Sequence, residues 1–517
     1  MHRFKTIYFP GDRVRSGQAT RVTVSLPDSD GPNDPAGLSS FAMSLSSAEF
    51  RHALGDPILE DLEARAEQEQ RSLSNMCVRL LREVYTAMPA PVLPAQLTLV
   101  SASSKAPPLG DSTTGVTFQE SKRLPIHGWY PYVEGFSAPY VREVLGRYGT
   151  PRSVYDPFGG SGTVQLTASV AGVPSWYCEV NPAMAFIADT KVEMSRAARQ
   201  DFATTERLMT EYLDRLDLEL ERWAGKVDLE PYALAFPERD FFEERHIRDL
   251  LGALNLADEV AGSNAAVGAL LRLACAANAV HSSNMTRRAD LRRRRPDEYK
   301  TRVVNVGSYV AGSVQRMLVD LQDHPESTAP STFVAGDCRQ IGADFNDQFA
   351  LAITSPPYLN GTNYFRNTKI ELWLLGFIAS ERELGGFRSQ AVAAGINNVT
   401  AARTEYRQFS DVEAVAAQLD EAATDKRIPL LVRHYFSDMS EVLASVHRVL
   451  TPGGRFVFDI GDSKFYGVHV PTDQLLEGVA KSVGFTVESG TVLAKRYSRD
   501  KSALVQRELV FRKDGAC

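Results

Sequence analysis

The sequence has few of the residues that mark secreted or metal-stabilised proteins. Its 517 residues contain five cysteines, at positions 77, 178, 275, 338 and 517, and no Cys-x-x-Cys pair. Such scattered cysteines argue against a disulfide framework and against a structural zinc. No apolar run approaches the ~18 residues that a membrane span needs, and the first residues lack the apolar core of a signal peptide. We therefore expect a cytoplasmic globular protein with no membrane partner.

An excess of positive charge is also missing. The net charge is −7, so no global basic field attracts a nucleic acid. Any nucleic-acid contact must then come from a local basic patch. The length allows two or three domains, at roughly 100–200 residues each.

Composition and hydrophobic periodicity divide the chain into four parts. Residues 1–115 combine two short strands, a helical stretch and a Pro/Ser/Thr-rich linker, which predicts a small N-terminal α+β domain of unknown role. Strands and helices alternate over 116–195 and again over 329–517, which predicts an α/β domain ending in an antiparallel hairpin. The pattern there predicts strands over 349–354 and 455–460 and helices over 163–171, 436–449 and 472–482. Residues 196–328 form a helical pattern between these parts, with no obvious strand. Spacing puts Leu208, Tyr212, Leu213, Leu216 and Leu220 on one helix face. We interpret residues 196–328 as an insertion that contacts DNA.

A glycine-rich turn occupies residues 155–163, Tyr-Asp-Pro-Phe-Gly-Gly-Ser-Gly-Thr. It follows a predicted strand and opens a predicted helix, so its glycines allow close backbone approach to a ligand and the helix offers free N–H groups. Glu179 ends the next predicted strand, where a carboxylate is suited to bind ribose hydroxyls. The pair indicates an adenosine-containing cofactor. A tight strand-to-helix turn without a ligand is the structural alternative.

A second motif, Thr-Ser-Pro-Pro-Tyr at 354–358, follows an apolar strand. Two prolines cannot extend that strand because both lack an N–H donor. Ser355 and the Pro356 carbonyl can accept hydrogen bonds from an exocyclic amine of a base, and Tyr358 can stack on its ring. A proline-stiffened loop with a packing tyrosine is the alternative.

The two motifs together resemble the amino-methyltransferases of DNA, which modify cytosine N4 or adenine N6. Residues 136–141, 336–337 and 449–454 are similar to further segments of that family, and the resemblance covers about 120–195 and 330–515. It implies a Rossmann-like S-adenosyl-L-methionine-dependent methyltransferase fold. The implied cofactor-binding residues are Phe136, Asp156, Phe158, Gly159, Gly160, Gly162, Thr163, Glu179 and Asp337. The implied catalytic residues are Ser355, Pro356, Pro357 and Tyr358.

The chemistry that these residues suit is direct methyl transfer to an amine of a flipped base. Hydrogen-bond acceptors for both N–H groups would aim the nitrogen lone pair at the methyl group of the cofactor. Positioning and electrostatics would then set the rate of transfer. Methylation of cytosine C5 would need a Pro-Cys nucleophile, and no cysteine here follows a proline. By resemblance, a serine at 355 favours cytosine N4, with adenine N6 left open.

Two features depart from the family pattern. The cofactor loop precedes the Ser-Pro-Pro-Tyr motif, whereas many cytosine-N4 enzymes are permuted the other way. The insertion, about 130 residues long, lies between the second and third predicted strands and not at a usual recognition-domain position. Target recognition cannot be placed from the family.

Basic residues cluster at 286–302, where arginines suited to phosphate contacts stand out in an acidic protein. A solvated loop is the alternative interpretation. Two more cations follow the Ser-Pro-Pro-Tyr motif, where they would border a substrate pocket. The predicted nucleic-acid contacts are Arg287, Arg288, Arg292, Arg293, Arg366 and Lys369.

The expected partner is duplex DNA with the target base flipped, in a restriction or defence system. One rival retains the enzyme but makes RNA its substrate, since Pro-Pro-Tyr loops also serve RNA methyltransferases. Another rival is a non-catalytic DNA-docking subunit of a defence or modification complex, suggested by the uninterpreted N-terminal domain and insertion.

Overall fold

The computed structural model describes residues 3–9, 20–26, 121–131, 135–223, 225–287, 290–299, 302–323, 329–359, 361, 363–399, 403–497 and 502–515. The chain divides into two units, Met1–Asp111 and Ser112–Cys517. In the first unit, the two predicted strands are present as β1 (Arg3–Phe9) and β2 (Thr20–Leu26), and they pair antiparallel. The helix predicted within 46–85 and the linker at 89–115 lie outside the described residues.

The second unit is built on a seven-stranded sheet with the order β12–β13–β9–β8–β3–β4–β7. Strands β9, β8, β3, β4 and β7 run parallel, and β13 is antiparallel to both β9 and β12. Two short hairpins, β5–β6 and β10–β11, lie outside this sheet. The strands are β3 (Val154–Asp156), β4 (Ser175–Cys178), β5 (Met285–Arg287), β6 (Leu291–Arg293), β7 (Ser331–Ala335), β8 (Phe349–Thr354), β9 (Leu450–Gly461), β10 (Ser463–Phe465), β11 (Val468–Val470), β12 (Phe485–Tyr497) and β13 (Ala503–Lys513).

Fifteen α-helices belong to the described part of this unit. They are α1 (Ala138–Arg147), α2 (Thr163–Val170), α3 (Pro182–Asp189), α4 (Ser195–Gln200), α5 (Phe202–Trp223), α6 (Glu230–Ala235), α7 (Glu244–Ala261), α8 (Ala265–Ser282), α9 (Val306–Asp323), α10 (Tyr364–Asn367), α11 (Lys369–Leu374), α12 (Leu384–Gln390), α13 (Ser410–Ala422), α14 (Arg427–Val449) and α15 (Thr472–Ser482). A π-helical turn, Thr190–Met194, joins α3 to α4.

Helices cover both faces of the sheet, because its central strands are apolar on both sides. On one face, α1 and α2 pack against β8 through Leu351 and Ile353. On the other face, α14 and α15 pack against Ala352 and the phenylalanines of β9. The predicted Rossmann-like fold, with its C-terminal antiparallel hairpin and helical insertion, is confirmed.

Several predicted boundaries match closely. β8 and α15 begin and end where the sequence predicts, and α2 ends one residue early. Helix α14 begins at Arg427 instead of Phe436, since Pro429 lies in its first turn, where a missing N–H breaks no helical hydrogen bond. The strand predicted from Arg455 begins at Leu450, just before the Thr-Pro-Gly-Gly segment.

The insertion has its own apolar core, built mainly by α5, α7, α8 and α9. Leu208, Tyr212, Leu216 and Leu220 share the buried face that their spacing predicts on α5. Helix α8 is long and apolar enough to cross a membrane, which corrects the prediction that no segment reaches that length. Its residues lie mostly inside this core, and a buried core helix passes the same test.

The β5–β6 hairpin corrects the expectation that the insertion has no strands. It is attached to the chain that follows β8. The Leu291 amide donates to the side chain of Asn367 at 2.6 Å, and Arg287 donates to the Asn367 carbonyl at 2.6 Å. Arg287 also pairs with Glu371 at 2.5 Å, and the Tyr130 hydroxyl donates to the same carboxylate oxygen at 3.0 Å. This buried cluster joins the insertion to α10 and α11.

We predict that Arg287→Met destabilises the protein by about 3–5 kcal/mol, because the Glu371 carboxylate would remain buried without its charged partner. Urea unfolding measures the loss. The matched control is Arg272→Met on α8, whose pair with Asp258 is partly exposed and should contribute under about 1 kcal/mol. Equal losses in the two variants would show that the buried cluster does not stabilise the insertion.

Candidate active site

The two sequence motifs lie side by side at the carboxyl edge of the sheet. β3 leads into the glycine-rich turn, β8 leads into Ser-Pro-Pro-Tyr, and the two strands are parallel neighbours. The strands that follow β3 in the chain, β4 and β7, lie on one side of it. The strand that follows β8, β9, lies on the opposite side of the β3–β8 pair. Open α/β sheets bind ligands at such a switch in strand order.

The glycine-rich turn has a backbone that needs glycine at two positions. Gly160 and Gly162 have φ of 51° and 85°, a region that side chains with a Cβ rarely adopt. A Cβ at Gly162 would also lie 2.9 Å from the Cα of Ala188 in α3. The Gly159 amide is anchored by the carbonyl of Cys178, at 2.8 Å. The turn is therefore held against β4 and α3.

Glu179, just beyond β4, fixes the far side of this turn. Its two carboxylate oxygens accept hydrogen bonds from the amides of Gly160, at 2.7 Å, and Asn181, at 2.8 Å. Burial raises its pKa to about 7, against the opposing effect of those two amides. A carboxylate has about four acceptor positions, so Glu179 retains capacity for hydroxyl donors.

Asp156 connects the two motifs directly. One of its carboxylate oxygens accepts from the Thr354 hydroxyl at 2.6 Å and from the Phe158 amide at 3.0 Å, and the other accepts from Gln165 at 3.1 Å. Burial raises the pKa of Asp156 to about 6. Because Thr354 directly precedes Ser355, this carboxylate fixes the start of one motif against the other.

The Ser-Pro-Pro-Tyr loop rests on a buried aspartate of β9. The Tyr358 hydroxyl donates to Asp459 at 2.5 Å, and Gln506 of β13 donates to the same oxygen at 2.6 Å. A hydrogen bond from Ser355 also acts to lower the pKa of Asp459, although burial, the larger effect, raises it. Both polar side chains of the motif are thus oriented by one carboxylate.

Asp459 was missed in the sequence. It lies within an apolar strand, Arg455–Ile460, and an acidic residue there was the available signal. Two further groups hold the loop from other elements. Tyr435 of α14 donates to the Pro357 carbonyl at 3.1 Å, and Ser463 of β10 donates to the Leu359 carbonyl at 2.6 Å. Ser355, Pro357 and Tyr358 remain half-buried, so the loop is accessible from one side.

The remaining predicted cofactor residues have different surroundings. Phe136 is buried with its ring edge-on to Tyr140, and Phe158 is half-buried. Thr163 is the buried first residue of α2. Asp337 forms a bidentate pair with Arg339, at 2.9 and 2.8 Å. Cofactor contacts by these four residues stay predictions.

A second residue outside the predicted set is Lys191, in the π-helical turn. Its ammonium group is buried and donates to the carbonyl of Ser161, within the glycine-rich turn, at 3.0 Å. Burial lowers its pKa to about 7. A single lysine in a helical pattern carried no sequence signal, because its function depends on where the helix packs.

Two predicted nucleic-acid contacts need correction. Arg287 is buried and paired with Glu371, as described above. Lys369 is buried too, pairs with Glu381 at 2.7 Å, and lies over the ring of Phe241. Charges that are already neutralised in the interior are not available to phosphates. These two cations stabilise the fold.

The other predicted contacts remain open. Arg292 and Arg293 are at least partly exposed, and they pair with Glu298 and Asp240 respectively. Arg366 is exposed on α10. Arg288 lies outside the described residues. Contacts of these arginines with DNA stay predictions.

Comparison with known proteins gives relatives that are named methyltransferases. The chain is 24% identical over 416 residues to the type II methyltransferase M.AvaI of Nostoc sp., covering 73% of this chain and 83% of that protein. It is 22% identical over 423 residues to the type II methyltransferase M.BsoBI of Geobacillus stearothermophilus, covering 72% and 80%. No protein-family model matches the chain.

Among solved structures, the chain is similar to the rRNA methyltransferase aviRa from Streptomyces viridochromogenes. The identity is 9%, with 77% of this chain and 96% of that chain covered, and the TM-score is 0.26. A match this loose supports no argument about substrate. The two type II relatives support the methylase family that the motifs resemble.

We predict that Thr354→Val lowers the free energy of unfolding by about 1–3 kcal/mol, because Asp156 loses a buried donor while the side-chain shape is kept. Urea unfolding measures this. The control is Thr167→Val, a buried threonine whose hydroxyl bonds only to a carbonyl of its own helix. That variant should lose under about 1 kcal/mol. A Thr354→Val variant as stable as the wild type would contradict the connection between the motifs.

Proposed function

We propose that this chain is an S-adenosyl-L-methionine-dependent DNA methyltransferase that acts on an exocyclic base amine, with cytosine N4 the favoured target. The supporting observation is the Asp156–Thr354 hydrogen bond. It joins the glycine-rich turn to the Ser-Pro-Pro-Tyr loop at one edge of the sheet, which supports a shared site for the cofactor and the amine. The type II methyltransferase relatives support DNA methylation as the general activity.

The residues of the glycine-rich turn suit this cofactor. Glu179 can still accept hydrogen bonds from ribose hydroxyls, and glycines 160 and 162 keep the turn free of side chains that would block a ligand. The Ser161 hydroxyl is buried and has no hydrogen-bond partner among the described residues. A buried polar atom without a partner is costly, so a ligand donor or acceptor there would stabilise it. When bound, the cofactor supplies a methyl group on a sulfonium.

The Ser-Pro-Pro-Tyr loop suits the target amine. The Ser355 oxygen and the Pro356 carbonyl accept hydrogen bonds from the two N–H groups of the amine. These hydrogen bonds direct the nitrogen lone pair away from the ring plane. Asp459 orients Ser355 by accepting a hydrogen bond from its hydroxyl, so the serine oxygen presents lone pairs to the amine. Tyr358, restrained by the same carboxylate, stacks on the base. The loop positions the amine, and no covalent intermediate is required.

The three cysteines among the described residues support amine chemistry over attack by a thiolate. Cys178, Cys275 and Cys338 are buried and unpaired by disulfides. Burial raises the pKa of Cys178 and Cys275 to about 12, so their thiols stay protonated at neutral pH. A buried thiol of this kind is a poor nucleophile.

Three alternatives to cytosine-N4 methylation of DNA are distinguished by one experiment. Transfer to adenine N6, transfer to RNA, and docking to DNA without catalysis each retain part of the site. The serine at 355 favours cytosine through resemblance alone. The satisfied hydrogen bonds at Tyr358 and Asp156 favour a working site over a docking subunit.

The test is transfer of a labelled methyl group from S-adenosyl-L-methionine to duplex DNA, tRNA and rRNA, followed by nucleoside analysis. We expect label in N4-methylcytosine of the DNA. Ser355→Ala should reduce the rate by about 10²–10³, the effect typical of losing one preorganised transition-state contact. The exposed control Ser389→Ala on α12 should keep full activity. Label in neither N4-methylcytosine nor N6-methyladenine of DNA would refute the proposal.

The pKa of Glu179 generates a separate pH prediction. Only the ionised carboxylate accepts from both ribose hydroxyls, so the affinity for S-adenosyl-L-methionine should rise with pH up to about 7 and level off above it. The rise should approach tenfold per pH unit below the pKa. Titration calorimetry at several pH values measures this dependence.

Glu179→Gln should remove most of that pH dependence, because glutamine does not ionise. The control Glu244→Gln changes an exposed carboxylate at the start of α7 and should leave the profile as in the wild type. A Glu179→Gln variant with an unchanged pH profile would show that another group controls it.

A further inference from the structure

We propose that Arg339 is a positioning residue for the adenine of the cofactor. It orients the Asp337 carboxylate to accept a hydrogen bond from the exocyclic amine of adenine, and Asp438 of α14 in turn fixes Arg339. This inference rests on the proposed function, because it concerns how the same site recognises S-adenosyl-L-methionine. Neither Arg339 nor Asp438 belongs to the predicted site residues.

The order of the strands indicates where the adenine lies. The glycine-rich turn follows β3, and Glu179, which is suited to the ribose, follows the next strand, β4. Asp337 lies two residues beyond the end of β7, the neighbour of β4 on the side away from β3. The Glu179 amide donates to the carbonyl of Ala335, the last residue of β7, at 3.2 Å. An adenosine with its ribose at Glu179 and its sulfonium near β3 would therefore extend its base toward Asp337.

The Asp337 carboxylate has room for one more donor. Its Oδ1 accepts from the Arg339 amide at 3.0 Å and from the guanidinium Nε at 2.9 Å. Its Oδ2 accepts from Nη2 at 2.8 Å, and its contacts with Nε and with exposed Gln340 are longer, at 3.2 and 3.4 Å. A carboxylate has about four acceptor positions. The adenine amine can therefore replace the long contact from Gln340.

Arg339 is itself fixed by groups from other elements. Its Nη1 donates to the buried Asp438 carboxylate at 3.3 Å, and its Nη2 donates to the Gln390 carbonyl at 2.9 Å. The other oxygen of Asp438 accepts from the Ala393 amide at 2.8 Å. Each nitrogen of the guanidinium thus has an acceptor, so the orientation of Arg339 is set before the cofactor binds.

Burial restricts these charged groups further. The side chains of Asp337 and Arg339 are only 8% and 14% exposed, and Asp438 is fully buried. Buried groups with several hydrogen bonds have few alternative positions, which is what precise recognition requires. Arg403 also pairs with Asp438, but in the described part of the chain no hydrogen bond or ion pair joins it to Asp337. The two arginines therefore share one carboxylate, and Arg339 alone connects it to Asp337.

The test uses titration calorimetry of the full chain with S-adenosyl-L-homocysteine and with its analogue that carries hydrogen in place of the exocyclic amine. The wild type should bind the amine-bearing ligand about ten- to hundredfold more tightly, the effect of a hydrogen bond to a charged group. In Arg339→Met the carboxylate loses its fixed orientation, so this preference should fall below about threefold. Arg339→Lys retains a cation without the paired donors, and its preference should be intermediate.

Arg403→Met is the matched control. It removes the other guanidinium from Asp438 and leaves the Asp337–Arg339 pair in place, so it should keep the wild-type preference. A wild-type preference in Arg339→Met, with both ligands weakened equally or not at all, would show a structural role only and refute the inference. If the methionine variant does not fold, a wild-type preference in Arg339→Lys refutes it instead.

The results separate this inference from the proposed function. A wild type that methylates DNA but binds the two ligands equally would refute the placement of adenine at Asp337, and the enzyme would stand. A wild type that binds neither ligand and methylates no DNA would refute both.

Discussion

A hydrogen bond between Thr354 and Asp156 fixes the geometry on which the site depends. It joins the ends of two adjacent parallel strands, and one strand leads into the glycine-rich turn while the other leads into the Ser-Pro-Pro-Tyr loop. Asp156 also binds the amide of Phe158 and the side chain of Gln165, so it organises the glycine-rich turn as well. The carboxylate is buried and satisfied by three donors, and an unsatisfied one would be costly at that depth. The two loops are therefore held in one arrangement before any ligand binds.

A second buried aspartate acts in the same way on the other side. Asp459 restrains Tyr358 and Ser355 from beneath the loop, and Gln506 of the antiparallel strand β13 shares that carboxylate. The C-terminal hairpin therefore helps to support the Ser-Pro-Pro-Tyr loop. Methyl transfer that depends on positioning requires rigid acceptors, and carboxylates with several donors provide them.

The sequence predicted the features that depend on local pattern. The glycine-rich turn, the Ser-Pro-Pro-Tyr loop and Glu179 are each defined by a few consecutive residues, and the strands that carry them are strongly apolar. The role of Asp459 depends on strand β9 lying next to β8, and that of Lys191 depends on how the helix after α3 packs. Neither relation is contained in a local pattern. Cofactor contacts for Phe136 and Asp337 stay predictions.

The partners of the charged residues were also not contained in the local sequence pattern. Counting arginines identified the basic segment, but the partners of those arginines come from far along the chain. Arg287 pairs with Glu371, and Arg293 pairs with Asp240. The structure therefore divides one basic cluster into a buried anchor and ion-paired surface residues.

The central claim is that the two connected loops form one site for methylating a base amine. Mass spectrometry of nucleosides from the genomic DNA of a methylation-deficient host expressing this chain tests it most directly, with the Ser355→Ala variant alongside. N4-methylcytosine in the wild-type sample and its loss in the variant is the predicted result. Genomic DNA without methylated amines in both samples, with both proteins folded and expressed equally, would contradict the claim.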